Sequence, residues 1–270
     1  MATQNAYATL ADFLAYLPNS ANVVTANAEN AIDAASRQID TESGHEFYPA
    51  IEARLFDTPD SRELMIQGDL CEVLALTNGD GVAIAAADYK LWPYNDYPKA
   101  SIRLLPLGTT YFNQGTTNWA QAAISVNAIW ACHLDYGRAW GTGTTLAAAM
   151  TTTTGTAWTV TASTAFAAGN VARVDNELIL ITATGSGTLT ATRGWNGSTA
   201  ATHLNAAAIT IWTYMPDIKR ACLIQAARLY RRAETVYGTQ GGGEMGVQPV
   251  TIPQLDPDVK QILSGYKWMV

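Results

Sequence analysis

Arginine, tryptophan, an Asn-Gly pair and histidine fall within sixteen residues of this chain, TLTATRGWNGSTAATH at positions 188–203. An arginine beside turn residues is the composition of an anion cradle, because its planar guanidinium matches phosphate or carboxylate. A histidine adds a proton carrier or a metal ligand. The surrounding sequence completes neither chemistry. No companion cation stands near Arg193, so a strand-end residue bonding turn carbonyls is the favoured reading. Asn196-Gly197 supplies the positive φ of a tight reversal. With Ser198 it also matches a glycosylation acceptor, but the opening twenty residues have no cationic n-region and no secretory signal is expected. Trp195, at the predicted loop tip, is the residue of this stretch with a functional reading, as an interface anchor.

The remaining reactive side chains are scattered. His45, His133 and His203 occupy three different segments, none with a neighbour at metal-ligand spacing. His45 beside Glu46 at a helix end reads as a capping or solvent-facing pair. Cys71, Cys132 and Cys222 lack C-x-x-C spacing and read as reduced, buried thiols. No G-x-S-x-G elbow, Walker loop or G-x-G-x-x-G is present, and GTGTT (141–145) lacks the lysine a phosphate loop needs. The sequence therefore predicts no catalytic residue, no cofactor and no metal, and not an enzyme.

Helices at both ends of the chain must position whatever these residues do. TLADFLAYL begins at an N-cap Thr9, with Leu10, Phe13, Leu14 and Leu17 on one face. A second helix over about 26–43 spaces Ala28, Ile32, Ala35 and Ile39 and stops at Gly44. From Pro216 a long helix is predicted to Gly238; it carries Lys219, Arg220, Arg228, Arg231 and Arg232, which either solvate one face or meet an acidic partner. A linker follows over 239–254, then a short helix capped by Asp256. The chain ends in GYKWMV, whose Tyr266, Trp268, Met269 and Val270 are an apolar end suited to docking.

Between the helices the pattern is that of strands. Residues 52–129 give short apolar runs, among them EARLFD, RELMI, CEVLALT, SIRLLP and AAISVNAIWAC, separated by turn residues. Residues 137–213 hold only five charged residues and twenty threonines, a shift that marks a separate module. Its strands TAWTVTA, NVARVD, ELILITAT, TLTATRG and AAITIWT predict a small sandwich or barrel. The lead-in GTGTTLAAAMTTTTGT reads as a flexible strap. The expected fold class is α+β: a helical core from N- and C-terminal helices with a β-rich middle (1–136 and 214–270), carrying an inserted small β-sandwich or barrel (137–213). The net charge of −7, with 14% charged residues, argues against a nucleic-acid grip. No apolar run approaches the roughly 20 residues of a membrane span, so a cytoplasmic chain is expected.

AENAIDAASRQIDTESGHEFYP near the start, with IKRACLIQAARLYRRAETVYG and LDPDVKQILSGYKW near the end, resembles the head-tail connector family of tailed bacteriophages, also called adaptor or head-completion proteins. The likeness covers roughly the first fifty and last fifty-five positions. It implies a structural virion protein of the capsid–tail neck, made in the bacterial cytoplasm and assembled as a twelve-fold ring beneath the portal protein. That ring would join the portal to a tail-proximal stopper or tail-terminator protein, with the major capsid protein as a further neighbour. DNA would pass through its channel without sequence-specific binding. Residues 166–212 are similar to a β module recurrent in phage structural proteins, with its acidic turn, TRG-x-NG-[ST] and downstream histidine; NAAA (205–208) stands where a glycine is usual. The resemblance assigns Lys219, Arg220, Arg228, Arg231 and Arg232 to acidic neighbours, the C-terminal tail to the portal, and Trp195 to a rim contact. The alternative is a carbohydrate- or host-surface-binding β module with Trp195, Trp158 and Trp212 as stacking platforms.

Overall fold

A computed structural model describes residues 3–115, 120–234 and 255–266. Among them are four α-helices and two antiparallel β-sheets, a mixed α+β chain. Contacts divide it into two compact units, residues 1–44 with 216–270, and residues 45–215. No helix of the described residues is long and apolar enough to cross a membrane.

The first unit is helical. Helix α1 (Leu10–Tyr16) starts with a capping box: Thr9 Oγ1 accepts from the Asp12 N–H at 3.2 Å, and the Asp12 carboxylate accepts from the Thr9 N–H at 3.0 Å. Helix α2 (Thr25–Ser43) stops at Gly44, whose φ of +76° is open to glycine. Its face of Ala28, Ala31, Ile32, Ala35 and Ile39 is buried and packs against α3 (Pro216–Glu234), which offers Ile218, Ala221, Cys222 and Ala226. Small residues on both faces let the two backbones approach closely. Positions 235–238, which the sequence assigns to the same helix, and the linker 239–254 lie outside the described residues. Helix α4 (Pro257–Leu263) is capped by Asp256, as its sequence predicts, and buries Val259 and Leu263.

One half-buried acid in this unit sets a pH dependence. Burial raises the Asp33 pKa to about 6, against the Gln4 N–H and the Arg37 charge, which both act to lower it. With the folded pKa above the unfolded value, the folded state gains stability as pH falls through about 6 and loses it again as pH rises. Asp33→Asn is therefore expected to stabilise the protein near neutral pH by about 1 kcal/mol, less than the shift alone would give because solvent screens a half-exposed group. Urea midpoints should show that gain vanishing once the pH is below the ordinary carboxylate range.

The second unit holds both sheets. The first has strand order β1-β5-β2-β4-β3, from β1 (Ala50–Phe56), β2 (Glu63–Thr77), β3 (Tyr89–Trp92), β4 (Lys99–Leu104) and β5 (Ile124–Trp130). Leu64, Leu76, Ile102, Ile124 and Val126 fill its core. RELMI and CEVLALT form one strand here, not two. Gly68, at φ +119°, takes up a register shift within β2 that the sequence alone presents as a turn.

The second sheet runs β6-β11-β8-β9-β10-β7, from β6 (Trp140–Thr145), β7 (Ala157–Thr159), β8 (Val171–Val174), β9 (Glu177–Gly185), β10 (Thr188–Thr192) and β11 (Ala208–Trp212). Trp158, Ile179, Ile181, Leu189 and Ile209 are its core. The composition change at 137 coincides with the passage from the first sheet to the second. The lead-in expected to be a flexible strap contains β6, and Leu146 beyond it is only 1% exposed. Its polar threonines hide the signal, because β6 is held by pairing to β11 rather than by an apolar face of its own. A bridge between Leu146 and Val160, with the Ala147 N–H on Thr159 O and the Thr161 N–H on Thr145 O, joins the two edge strands β6 and β7.

Candidate functional site

The sixteen-residue stretch folds as a corner built around one carboxylate. Asp175, at φ +51°, turns the chain from β8 into β9, and this places Glu177 at the first position of β9 inside the fold. Its side chain is 0% exposed. Glu177 Oε1 accepts from Arg193 Nε at 2.9 Å and the Gly194 N–H at 3.1 Å. Oε2 accepts from Arg193 Nη2 at 2.6 Å and the Ala201 N–H at 3.0 Å, and meets His203 Nε2 at 2.8 Å. Burial acts to raise the Glu177 pKa, but these hydrogen bonds outweigh it and hold the carboxyl below its ordinary value.

The partners of Glu177 are themselves engaged by other groups. Arg193 also donates to the Thr152 and Ala201 carbonyls and lies 4.8 Å from the Trp158 ring centroid. His203 meets Asp175 Oδ2 through Nδ1 at 2.8 Å, so its two ring nitrogens stand between two carboxylates. A carboxylate held by so many protein partners is poorly placed to act as a base, and four of the five Arg193 N–H groups are already spent on protein acceptors. The stretch is an internal brace, in keeping with the strand-end reading of Arg193.

The outer side of the corner abuts the first sheet. Asn196 donates from Nδ2 to Pro49 O at 2.7 Å, and a Cβ on Gly197, at φ +80°, would stand 2.6 Å from Ile51 O. Trp195 is half-buried against Ile51, Ile129, Leu180 and Trp212, so it is less open than a loop tip. Trp158 and Trp212 are 0% and 3% exposed, which closes both to any ligand face. A second strap crosses nearby: Arg173 on β8 pairs with Glu72 on β2 at 2.8 Å, and the Tyr136 hydroxyl donates to the same carboxylate at 2.5 Å. Burial acts to raise the Glu72 pKa; the Arg173 and Tyr136 hydrogen bonds reverse this and lower it.

The predicted basic contact residues separate into two groups. Lys219 pairs with Asp12 at 2.7 Å and Arg228 with Asp256 at 3.6 Å, so both work inside their own unit. Arg220, Arg231 and Arg232 are exposed. Tyr266 donates its hydroxyl to Asp217 at 2.5 Å, which seats the end of the last helix on the start of α3. Trp268, Met269 and Val270 lie outside the described residues.

The three histidines stay apart. His133 contacts Thr213 O through Nε2 at 3.1 Å and stacks edge-on against Trp212, a structural placement. His45 departs from the expected capping or solvent-facing pair with Glu46. It is buried, and its Nδ1 stands 2.8 Å from Asp69 Oδ2, because β2 passes directly beside the segment that follows α2. Cys132 completes a group in which imidazole, carboxylate and thiol atoms all lie within 4.8 Å of one another. Spacing could not have found it, since the three positions come from three separate segments. No family model and no curated protein matches this chain. Its chemistry therefore has to be read from its own residues. Burial pushes the Cys222 thiol up to about 12 and moves Cys71 further still, so neither is a nucleophile near neutral pH.

Proposed function

We propose that this protein is a structural virion protein, a subunit of the adaptor ring that joins the portal at the capsid vertex to the tail or neck and surrounds the DNA channel. The observation that carries the reading is where the three segments with the connector resemblance meet. Helices α2, α3 and α4, one from each segment, pack in a single unit. Ser36 Oγ lies 3.4 Å from Cys222 Sγ. The buried Gln225 donates to Gln38 Oε1 at 2.6 Å and accepts from the Asp256 N–H at 3.1 Å, which ties all three helices through one amide.

In this reading residues 1–136 and 214–270, the helices with the β-rich middle, are the connector core, and residues 137–213 are an inserted small β-sandwich or barrel whose edge strands the Leu146–Val160 bridge joins. The Glu177 brace fits such an architectural part, since its charged groups are spent on fixing shape. A net charge of −7 per chain lets DNA slide through a channel without being gripped. The exposed Arg220, Arg231 and Arg232 are the contacts offered to acidic portal neighbours.

Light scattering on the purified chain, alone and with purified portal complex, tests the proposal. The expected result is a ring of about twelve copies, or a smaller species that binds the portal stoichiometrically. Replacing Arg220, Arg231 and Arg232 together by glutamate should weaken portal association by at least about 10-fold and flatten its salt dependence. A chain that stays monomeric and ignores the portal overturns the reading.

A further inference from the structure

The group at His45, Asp69 and Cys132 is assembled by backbone pairing. Asp69 follows the Gly68 kink in β2, Cys132 lies two residues beyond the end of β5, and His45 opens the segment that leads into β1. The Ala131 N–H donates to Asp69 O at 2.8 Å and the Cys132 N–H to Glu46 O at 2.7 Å, so the three segments are fixed side by side. Each then contributes one donor of a different chemical type. The His45 and Asp69 side chains are 6% and 12% exposed, and Cys132 is 2% exposed.

We propose that His45, Asp69 and Cys132 bind a divalent transition-metal ion of the zinc class. Nitrogen, oxygen and sulfur together suit a borderline ion, whereas magnesium and calcium take oxygen donors. A carboxylate and a thiolate cancel the charge of a divalent ion, which makes the complex neutral and tolerable where water is scarce. Donors around a tetrahedral zinc, with bonds of about 2.0 to 2.3 Å, stand roughly 3.3 to 3.8 Å apart. The observed spacing, 2.8 Å from His45 Nδ1 to Asp69 Oδ2 and no more than 4.8 Å for any pair, brackets that range. Binding would release the thiol proton, would replace the direct His45–Asp69 contact by two bonds to the ion, and would leave the fourth position to water. Asp69, the least buried of the three, is the side from which an ion enters. Cys71 is no part of the set, because its thiol donates to Ala131 O at 3.1 Å. The ion would clamp the segment before β1 to the middle of β2 and the chain just beyond β5. That role is independent of the adaptor reading.

Cobalt(II) titration of the reduced full-length protein tests the site. The expected result is one equivalent bound, with thiolate-to-cobalt charge-transfer absorption that a stoichiometric amount of zinc removes. Cys132→Ser should abolish that absorption, Cys71→Ser and Cys222→Ser should keep it, and His45→Asn should weaken binding by at least about 10-fold. X-ray absorption on the zinc-loaded wild type needs no variant to fold, and should read one sulfur at about 2.3 Å with nitrogen and oxygen at about 2.0 Å. Absence of charge transfer, its survival in Cys132→Ser, or a shell without sulfur overturns the proposal and leaves a plain His45–Asp69 hydrogen bond beside an inert thiol.

Discussion

Glu177→Gln should destabilise the protein by about 3 to 5 kcal/mol, the cost of stranding one member of a buried ion pair. The substitution keeps the shape of the side chain and removes its charge, so the loss reports on electrostatics rather than on a cavity. Arg193, with a side chain 5% exposed, would be left without its counter-charge, and the amide would present an NH₂ group where Arg193 and the Gly194 or Ala201 N–H group now donate. Replacing Glu177 and Arg193 together by leucine and methionine should cost less than the single change, since no charge is then stranded. Urea unfolding of the three proteins at neutral pH measures both comparisons. A double replacement that costs as much as Glu177→Gln or more would mean that a stranded charge is not what the single change introduces.

The same carboxylate predicts an acid limb. Its folded pKa lies below the 4.5 of an ordinary glutamate, so its contribution to stability is complete above 4.5 and is lost as pH falls through the folded value. Wild type should therefore lose stability below about pH 4.5 more steeply than Glu177→Gln.

How much of this was legible in the sequence depends on the range over which each signal acts. Thr9, Gly44 and Asp256 mark helix ends because capping is settled within a few residues, and the sequence reads them directly. β8 to β11 are likewise visible, since each has its own run of β-branched or apolar residues. The Glu177 network was not. Asp175 and Glu177 read as an acidic turn, Arg193 as a strand end and His203 as a lone histidine; the fold makes them one network by folding β8, β9 and the corner onto each other. Partners distant in the chain were equally invisible: Asp12 lies 207 residues from Lys219, and nothing local to α3 indicates that this lysine is engaged. His45 misled for the same reason, because Asp69 and Cys132 reach it only through sheet pairing.

Gly143→Val should be the most damaging single glycine replacement in the second sheet, at about 4 kcal/mol or more. A Cβ there would stand 1.8 Å from Ile209 O and 2.8 Å from Ile209 C, an overlap with backbone that no rotamer relieves. The register between β6 and β11 shifts between Ile209 and Ile211, and Gly143 faces that irregularity, where the two chains come closest. β6 can accept a side chain only by separating from β11. Separation would also release Leu146, which is held by the Ala207 and Ala206 backbone at 2.9 Å each, and with it the bridge to Val160 that joins the sheet edges. One substitution thus loosens two seams. Gly155→Ala is the control, because its added Cβ would meet only the ends of the Thr152 and Met150 side chains at 3.2 and 3.3 Å. The sequence presents both glycines alike, as punctuation in a threonine-rich strap. Urea midpoints for the two variants, with limited proteolysis over 146–156, separate a linker glycine from one required by close approach. If Gly143→Val is as stable and as protease-resistant as Gly155→Ala, then β6 is not paired as described and the flexible-strap reading of residues 141–156 stands.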